Sequence, residues 1–259
     1  MRHPTRNLRP ALLALGASTL LCAAAAVAAS KPALEAAHGV VVSAQHLASD
    51  VGVEILKHGG NAVDAAVAVG YAEAVTNPCC GNIGGGGFMV IHLTKPAKNV
   101  FLNFRETAPA AATANMYLDA NGNPIRGASI EGYRAVAVPG TVLGLETALK
   151  RYGTLTRAQV MAPAIKLARD GFILTRGDTD ILDAGARRFR SDPQAARIFL
   201  HPNGSTYQPG ERLVQTELAH TLEAIARGGS DAFYKAGGRS GNAALVAQAM
   251  RDHGGIITT

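Results

Sequence analysis

Two consecutive stretches in the first third of the chain carry apolar residues at helical spacing. From Leu47 to His58 these residues are separated by four positions and by one, and the stretch ends at Gly59–Gly60, which predicts a helix. Asn61 can cap a second helix. Asp64 lies three residues later, where an acidic side chain interacts favourably with the helix dipole. Because Ala65 to Val75 is almost entirely apolar, we expect this second helix to be buried on most sides.

Three other segments have the β-branched and apolar composition of strands. His38 to Ala44 is bounded by turn-forming residues and predicts the first strand. Phe88 to Leu93 and Val100 to Phe104 predict two more strands. The short connection from Thr94 to Asn99 predicts that these two pair as an antiparallel hairpin.

The second half of the chain is predicted to be mostly helical. Apolar positions recur at helical spacing from Thr154 to Arg169, with a break expected at Pro163, and again from Thr216 to Arg227 and from Ser240 to His253. No internal repeat, low-complexity linker or long charge run divides the sequence, so we expect residues 30–259 to form one continuous domain.

The first 29 residues are predicted to be a secretory signal peptide. They begin with three arginines, continue in an apolar run from Ala11 to Val27 and end in small residues, which places cleavage after Ala28 or Ala29. The run is about 17 residues long and no charged stop follows it, so export to the periplasm or the medium is favoured over a stable membrane anchor.

The composition is that of a globular protein and excludes disorder, collagen and coiled coil as classes. Of the 259 residues, 47% are hydrophobic and 17% are charged, and the formal net charge is +6. Half of that charge belongs to the three arginines of the signal peptide, so the remainder gives no reason to expect a nucleic-acid partner.

The sequence contains three cysteines, of which Cys22 would be removed with the signal peptide. Cys79 and Cys80 are adjacent and can either form a vicinal disulfide or pack as small apolar residues, of which we expect the second. Nothing near them in the sequence supplies the four spaced ligands of a zinc site, so no metal site is expected.

The run of glycines from Gly84 to Gly87 is the most unusual local feature. Each glycine costs roughly 0.5 to 1 kcal/mol relative to alanine inside a regular element, so such a run indicates close approach of another backbone. It leads into a strand and lacks the spacing of a dinucleotide fingerprint or a phosphate-binding loop.

Arg105 and Glu106 follow the predicted hairpin and are candidates for binding. An arginine at the end of a strand offers a planar fork for a carboxylate, and the neighbouring acid can orient it or hold a substrate ammonium group. Such a pair on its own is more often a surface ion pair. Its proximity to the glycine run makes the binding interpretation more attractive.

These features occur together, in the same order and spacing, at the start of the gamma-glutamyltranspeptidases, which the chain strongly resembles from His38 to its end. The most specific segments are GNIGGGGFMVIHL at 81–93 and FRETAP at 104–109. Further matches are AVPGTVLGLETAL at 137–149, YGTL at 152–155, APAIKLARDGF at 162–172 and DAFYKA at 231–236.

The resemblance implies an α+β fold, the four-layer αββα sandwich of the N-terminal nucleophile hydrolases, made as a precursor that cuts itself into a large and a small subunit. Members transfer the gamma-glutamyl group of glutathione and similar compounds to water or to an amino acid or peptide. The nucleophile is the threonine freed at the start of the small subunit, which forms a gamma-glutamyl enzyme. No cofactor and no catalytic metal are implied.

Two residues match family positions that contact the substrate. Arg105 matches the arginine that pairs with the alpha-carboxylate of the gamma-glutamyl group, and we expect it to lie in a largely desolvated pocket. Glu106 matches its acidic neighbour, which is expected to help rather than to catalyse. The glycine run would position the central strands without a direct catalytic role.

The chain departs from the family in its length and in its nucleophile. Family precursors are far longer, none of the threonines present matches the cleavage motif, and Thr259 is not the nucleophile. We therefore expect residues 30–259 to be the N-terminal portion of the large subunit of a truncated precursor, inactive without the small subunit. Two alternatives remain open: a non-catalytic remnant or binding module, and a related acylase that processes beta-lactam side chains.

Overall fold

The computed structural model describes residues 33, 35–235 and 241–258, and the predicted signal peptide at residues 1–29 lies outside this part of the chain. From Val41 on, the described residues form one compact unit. Its helices are α1 (His46–Lys57), α2 (Ala62–Thr76), α3 (Thr141–Tyr152), α4 (Arg157–Asp170), α5 (Arg176–Ser191), α6 (Pro193–Phe199), α7 (Thr216–Gly228), α8 (Asp231–Tyr234) and α9 (Asn242–Asp252). Its strands are β1 (Phe88–Thr94), β2 (Ala97–Asn103), β3 (Phe172–Ile173) and β4 (Arg212–Leu213), and a short 3-10 helix spans Tyr133–Ala135.

Helix α2 lies at the centre of the core. It packs against α1, α3 and α4, and most of its residues are buried, as its apolar sequence predicts. The side chains of Val67, Tyr71 and Val75 are enclosed by these neighbours. Because α4 in turn packs against α7, a continuous set of helix contacts connects the start of the unit with its second half.

The start of α2 is fixed by the buried carboxylate of Asp64. Asn61 Oδ1 accepts hydrogen bonds from the N–H groups of Val63 and Asp64, as the predicted cap requires, and Asp64 Oδ2 accepts one from the Asn61 N–H at 2.8 Å. The same carboxylate accepts bonds from the Thr154 hydroxyl at 2.7 Å and from the Leu155 N–H at 3.1 Å. Asp64 therefore joins α2 to the turn between α3 and α4.

Helix α4 continues through Pro163, so the break expected there was wrong. Proline removes one N–H donor from a helix and normally kinks it. Met161 and Ala164, close to it on either side, are fully buried in the core. We attribute the intact helix to this packing, because tertiary contacts contribute more to helix stability than local propensity does.

Residues 38–44 form no strand, so that prediction was also wrong. Val40 and Val42 are exposed, and no strand in the described part of the chain pairs with them. The Ser43 N–H donates instead to the Ser49 hydroxyl of α1, at 3.1 Å. A β-branched segment forms a strand only where a partner backbone accepts its hydrogen bonds.

Strands β1 and β2 form the predicted antiparallel hairpin, with Phe88 opposite Asn103 and Thr94 opposite Ala97. The connection is shorter than predicted, so β2 begins three residues earlier. The inner face packs against the core through Met89, Ile91, Leu93, Val100 and Leu102.

The outer face of the hairpin carries exposed apolar side chains at the end where β1 begins. Phe88, Val90 and Phe101 are exposed on it, and the two phenylalanine rings stack with their centres 5.7 Å apart. Exposed apolar side chains grouped in this way are a candidate contact surface.

The second half of the described chain is mostly helical, as predicted, and α7 and α9 lie where the apolar spacing places them. Helices α5 and α6 and the short pairing of β3 with β4 were not predicted individually. Within residues 33, 35–235 and 241–258, the structure contains no helix with the length and apolar character needed to cross a bilayer.

Replacing Asp64 with asparagine is expected to lower the free energy of unfolding by about 2 to 4 kcal/mol, because the amide loses charge-assisted bonds and turns a donor toward N–H groups. Asp178→Asn is the matched control, since Asp178 accepts the same capping bonds at α5 from Thr175. Its expected cost is about 0.5 to 1 kcal/mol. Urea unfolding measures both variants, and equal losses would contradict the additional role of Asp64.

The stability is expected to fall in acid through Asp64. Burial raises the pKa of its carboxyl, but hydrogen bonds from Thr154, Asn61 and Leu155 outweigh burial and leave the pKa below its ordinary value. The stabilisation is therefore complete above the unfolded-state pKa of about 3.9 and is lost as the pH falls through the lower folded-state pKa. Unfolding curves from neutral pH down to about pH 2 should show a steeper loss in the wild type than in Asp64→Asn. Parallel pH dependences would count against this assignment.

Candidate functional site

Arg105 follows the hairpin directly. The ladder extends one pair beyond β1 and β2, since the N–H of Gly87 donates to the Phe104 carbonyl at 3.3 Å and the N–H of Phe104 donates to the Gly87 carbonyl at 3.0 Å. Because Phe104 is fixed in this way, Arg105 leaves the sheet at a defined point beside the glycine run.

The glycine run lets the backbone of residues 104–106 pass at close range. A Cβ atom on Gly86 would lie 2.5 Å from the Phe104 carbonyl oxygen, 2.7 Å from the Glu106 nitrogen and 2.9 Å from the Arg105 carbonyl carbon. All three are backbone atoms, which cannot move away by a change of rotamer as the end of a side chain can. The predicted close approach is thus confirmed at Gly86, whereas a Cβ atom on Gly84 would meet nothing within 4 Å.

Two further glycines approach the same point from α3. A Cβ atom on Gly140 would overlap the Phe104 carbonyl oxygen, and one on Gly144 would overlap the Phe104 ring. The N–H groups of Gly140 and Thr141 both donate to the Gly85 carbonyl, at 2.7 and 3.0 Å. The glycine run, the end of the hairpin and the start of α3 therefore meet around Phe104.

An open cleft of about 430 Å³ lies between this junction and α3. Tyr234 forms part of its wall, and its hydroxyl accepts a hydrogen bond from the Leu143 N–H at 3.2 Å. Arg105 is the only charged residue among the described residues that line the cleft. The lining comprises residues 102–105, Thr107, residues 138–140, Leu143, Gly144, Thr147 and Tyr234.

The Arg105 guanidinium is held on one side and open on the other. Its Nε lies 3.2 Å from Glu106 Oε2, and its central carbon lies 5.9 Å from the centre of the Phe88 ring. Within the described residues the guanidinium donates a hydrogen bond only through Nε, so its terminal nitrogens can bind a carboxylate.

The desolvated pocket expected around Arg105 stays a prediction for the complete protein, because the described residues alone do not enclose the side chain. The side chain is 67% exposed, with the Phe88 ring beside the guanidinium. Glu106 is less exposed, at 30%, and lies against the same surface. The structure therefore pairs the two predicted residues with each other, and Arg105 is one of the residues that line the open cleft.

Cys79 and Cys80 are bonded to each other as a vicinal disulfide, so the expectation that they pack as separate apolar residues was wrong. Both residues are exposed on the turn after α2, where there is no apolar interior for a free thiol to enter. Over the described ranges, no group of three or more His, Cys, Asp or Glu side chains is arranged to hold a metal ion.

The wall of the cleft was not predicted from the sequence. A signal for α3 was present, because residues 142–149 carry apolar side chains at helical spacing after Gly140. Tyr234 lies in the family match at 231–236, but no local pattern placed it beside Leu143, because the bond between them joins residues 91 positions apart. Contacts over that distance leave no trace in local patterns.

Comparison with known proteins gives consistent matches over most of the chain. The sequence model of the Gamma-glutamyltranspeptidase family matches residues 48–259. A Pseudomonas protein named glutathione hydrolase proenzyme is 55% identical over 248 residues, which are 95% of this chain and 42% of that protein. Another Pseudomonas protein, named acylase ACY 1 proenzyme, is 40% identical over 88% of this chain and 40% of that protein. The chain thus spans less than half the length of these relatives.

The crystal structure of Helicobacter pylori gamma-glutamyltranspeptidase matches with a TM-score of 0.83 at 44% sequence identity. The match covers 88% of this chain and 64% of that chain. It confirms the α+β fold of the N-terminal nucleophile hydrolases that the sequence motifs imply.

Gly86→Ala is expected to lower the free energy of unfolding by about 1 to 3 kcal/mol, because the added methyl group must displace backbone atoms. Gly84→Ala is the matched control, since its methyl group would enter open space and should change stability by less than about 0.5 kcal/mol. Thermal unfolding compares the two variants. The same Tm for both would be inconsistent with close packing at Gly86.

Proposed function

Because the chain belongs to the gamma-glutamyltranspeptidase family, we propose that it is the N-terminal portion of the large subunit of an exported gamma-glutamyltransferase and glutathione hydrolase. The whole protein would cleave the gamma-glutamyl amide of glutathione and pass the glutamyl group to water, an amino acid or a peptide. The observation that carries this proposal is the position of Arg105, on a backbone packed against Gly86 and with its terminal nitrogens open to a ligand.

In this proposal Arg105 binds the alpha-carboxylate of the gamma-glutamyl group. The planar guanidinium matches the two carboxylate oxygens, so the contact fixes the direction of the ligand as well as its charge. Glu106 is a positioning residue, because its Oε2 accepts the Nε hydrogen bond and leaves the terminal nitrogens for the ligand. The glycine run fixes the backbone from which both side chains extend.

The proposed reaction forms an ester with a threonine of the small subunit. The threonine hydroxyl attacks the gamma-carbonyl carbon while its own amine accepts the proton, and the departing amine then leaves with a proton. Water or an acceptor amine attacks the ester and frees the threonine. In this reaction Arg105 holds the alpha-carboxylate of the substrate. The distance from Arg105 to the nucleophile then determines that the gamma-amide carbonyl is the one attacked.

The small subunit of the same precursor is the proposed partner. Phe88, Val90 and Phe101 leave an apolar sheet face that a second layer of protein would bury. Since the Arg105 guanidinium lies over the Phe88 ring, the same cover would remove water from the binding site. The predicted signal peptide supports location in the periplasm or the medium, and the proposal needs no cofactor, nucleic acid or membrane anchor.

The function is tested with the purified product of the full-length precursor. We expect release of aniline from a gamma-glutamyl anilide, with faster release when an amino-acid acceptor is added. Hydrolysis of a beta-lactam side-chain amide without this activity would favour the acylase alternative, which the similarity to acylase ACY 1 motivates. A correctly processed protein with neither activity would favour the non-catalytic alternative.

In the full-length enzyme, Arg105→Met is expected to lower kcat/KM for a gamma-glutamyl substrate by about two to three orders of magnitude, because the desolvated substrate carboxylate loses its partner. Arg105→Lys should recover only part of this loss, since lysine keeps the charge but not the fork. Arg126→Met is the control, because Arg126 is exposed and lies outside the cleft. Unchanged kinetics in Arg105→Met would refute the assignment.

A further inference from the structure

The Cys79–Cys80 disulfide lies on the turn that joins the buried helix α2 to the glycine run. The N–H groups of Cys80 and Gly81 both donate to the Asn77 carbonyl oxygen, at 3.0 and 2.8 Å. These bonds fix the turn, and both cysteines are exposed on it. The pair is therefore accessible to small molecules on a defined backbone.

This disulfide does not act as a structural cross-link. In the chain-entropy account, a disulfide stabilises a fold by restricting the unfolded chain between two distant residues, and adjacent cysteines enclose no intervening chain. The turn is already closed by backbone hydrogen bonds. Exposed disulfides are also the ones that exchange readily with thiols. Position and exposure thus favour a chemical role over a structural one.

The two sulfur atoms have different surroundings. The Asn77 side chain donates from Nδ2 to Glu73 Oε2 at 2.8 Å, which fixes the orientation of the amide. The amide oxygen, Oδ1, lies 3.1 Å from Cys79 Sγ. The partial negative charge of an amide oxygen at that distance repels the charge that would develop on Cys79 Sγ if it departed, so Cys79 is the poorer leaving group of the pair.

We propose that Cys79–Cys80 is a site of thiol–disulfide exchange with low-molecular-weight thiols, and that the mixed disulfide forms on Cys79. A small thiolate attacks Cys79 Sγ, the bond between the two cysteines breaks, and its electron pair leaves on Cys80, which then takes a proton from water. A second small thiolate attacks the small-molecule sulfur of the mixed disulfide and releases Cys79, which is likewise protonated. The net reaction oxidises two small thiols to their disulfide and reduces both cysteines.

The test uses the full-length protein in a Cys22→Ser background, so that Cys79 and Cys80 are the remaining cysteines of this part of the chain. Free cysteine is the probe, because it carries no gamma-glutamyl group and the result then does not depend on the proposed function. The oxidised protein is incubated with cysteine, exchange is stopped with iodoacetamide, and tandem mass spectrometry locates each group. We expect the cysteine adduct on Cys79 and the alkyl group on Cys80, in several-fold excess over the reverse arrangement.

The matched control is Cys80→Ser, which leaves one thiol and no disulfide and should therefore take up no cysteine under the same conditions. Alkylation of both wild-type residues before any thiol is added would overturn the proposal, because it would show that the disulfide is absent. The proposal also fails if no adduct forms, or if the adduct does not favour Cys79 over Cys80.

Discussion

The position of Arg105 depends on the absence of Cβ atoms around Phe104. Gly86 approaches the backbone there from the glycine run, and Gly140 approaches it from the start of α3. Hydrogen bonds from the start of α3 to the Gly85 carbonyl connect the two approaches. A residue at the end of a strand can bind a ligand in one orientation only if its backbone is supported in this way. The glycines thus contribute to the candidate site by allowing close backbone packing, and they need not contact a ligand themselves.

Local patterns predicted the elements whose stabilising contacts are close in sequence. Helix α2 is an example, because Asn61 caps it within three residues and its apolar stretch determines its burial. The hairpin was predicted for the same reason. Residues 38–44 and Pro163 were predicted wrongly, since a strand needs a distant partner and a proline is tolerated only where distant packing supports the helix.

The candidate site could be predicted in part. The motif at 104–109 identified Arg105 and Glu106, and the glycine run indicated close backbone contact. The cleft wall and the exposure of Arg105 could not be predicted from the sequence. Both depend on which distant segments pack beside Arg105. For Cys79 and Cys80 the sequence left two states open, a vicinal disulfide and two separately packed apolar residues. The structure shows the disulfide on an exposed turn, and no local pattern predicts that exposure.

The bond between Asp64 and Thr154 joins residues 90 positions apart and has a consequence for how the family can diversify. The segment at 105–139, which begins with Arg105, lies between these two residues in the sequence and contains no long helix or strand. Doubling the length of a flexible connection costs only about 0.6 kcal/mol of closure free energy. Insertions and exchanged sequence in this segment can therefore be accommodated while the helical core remains the same.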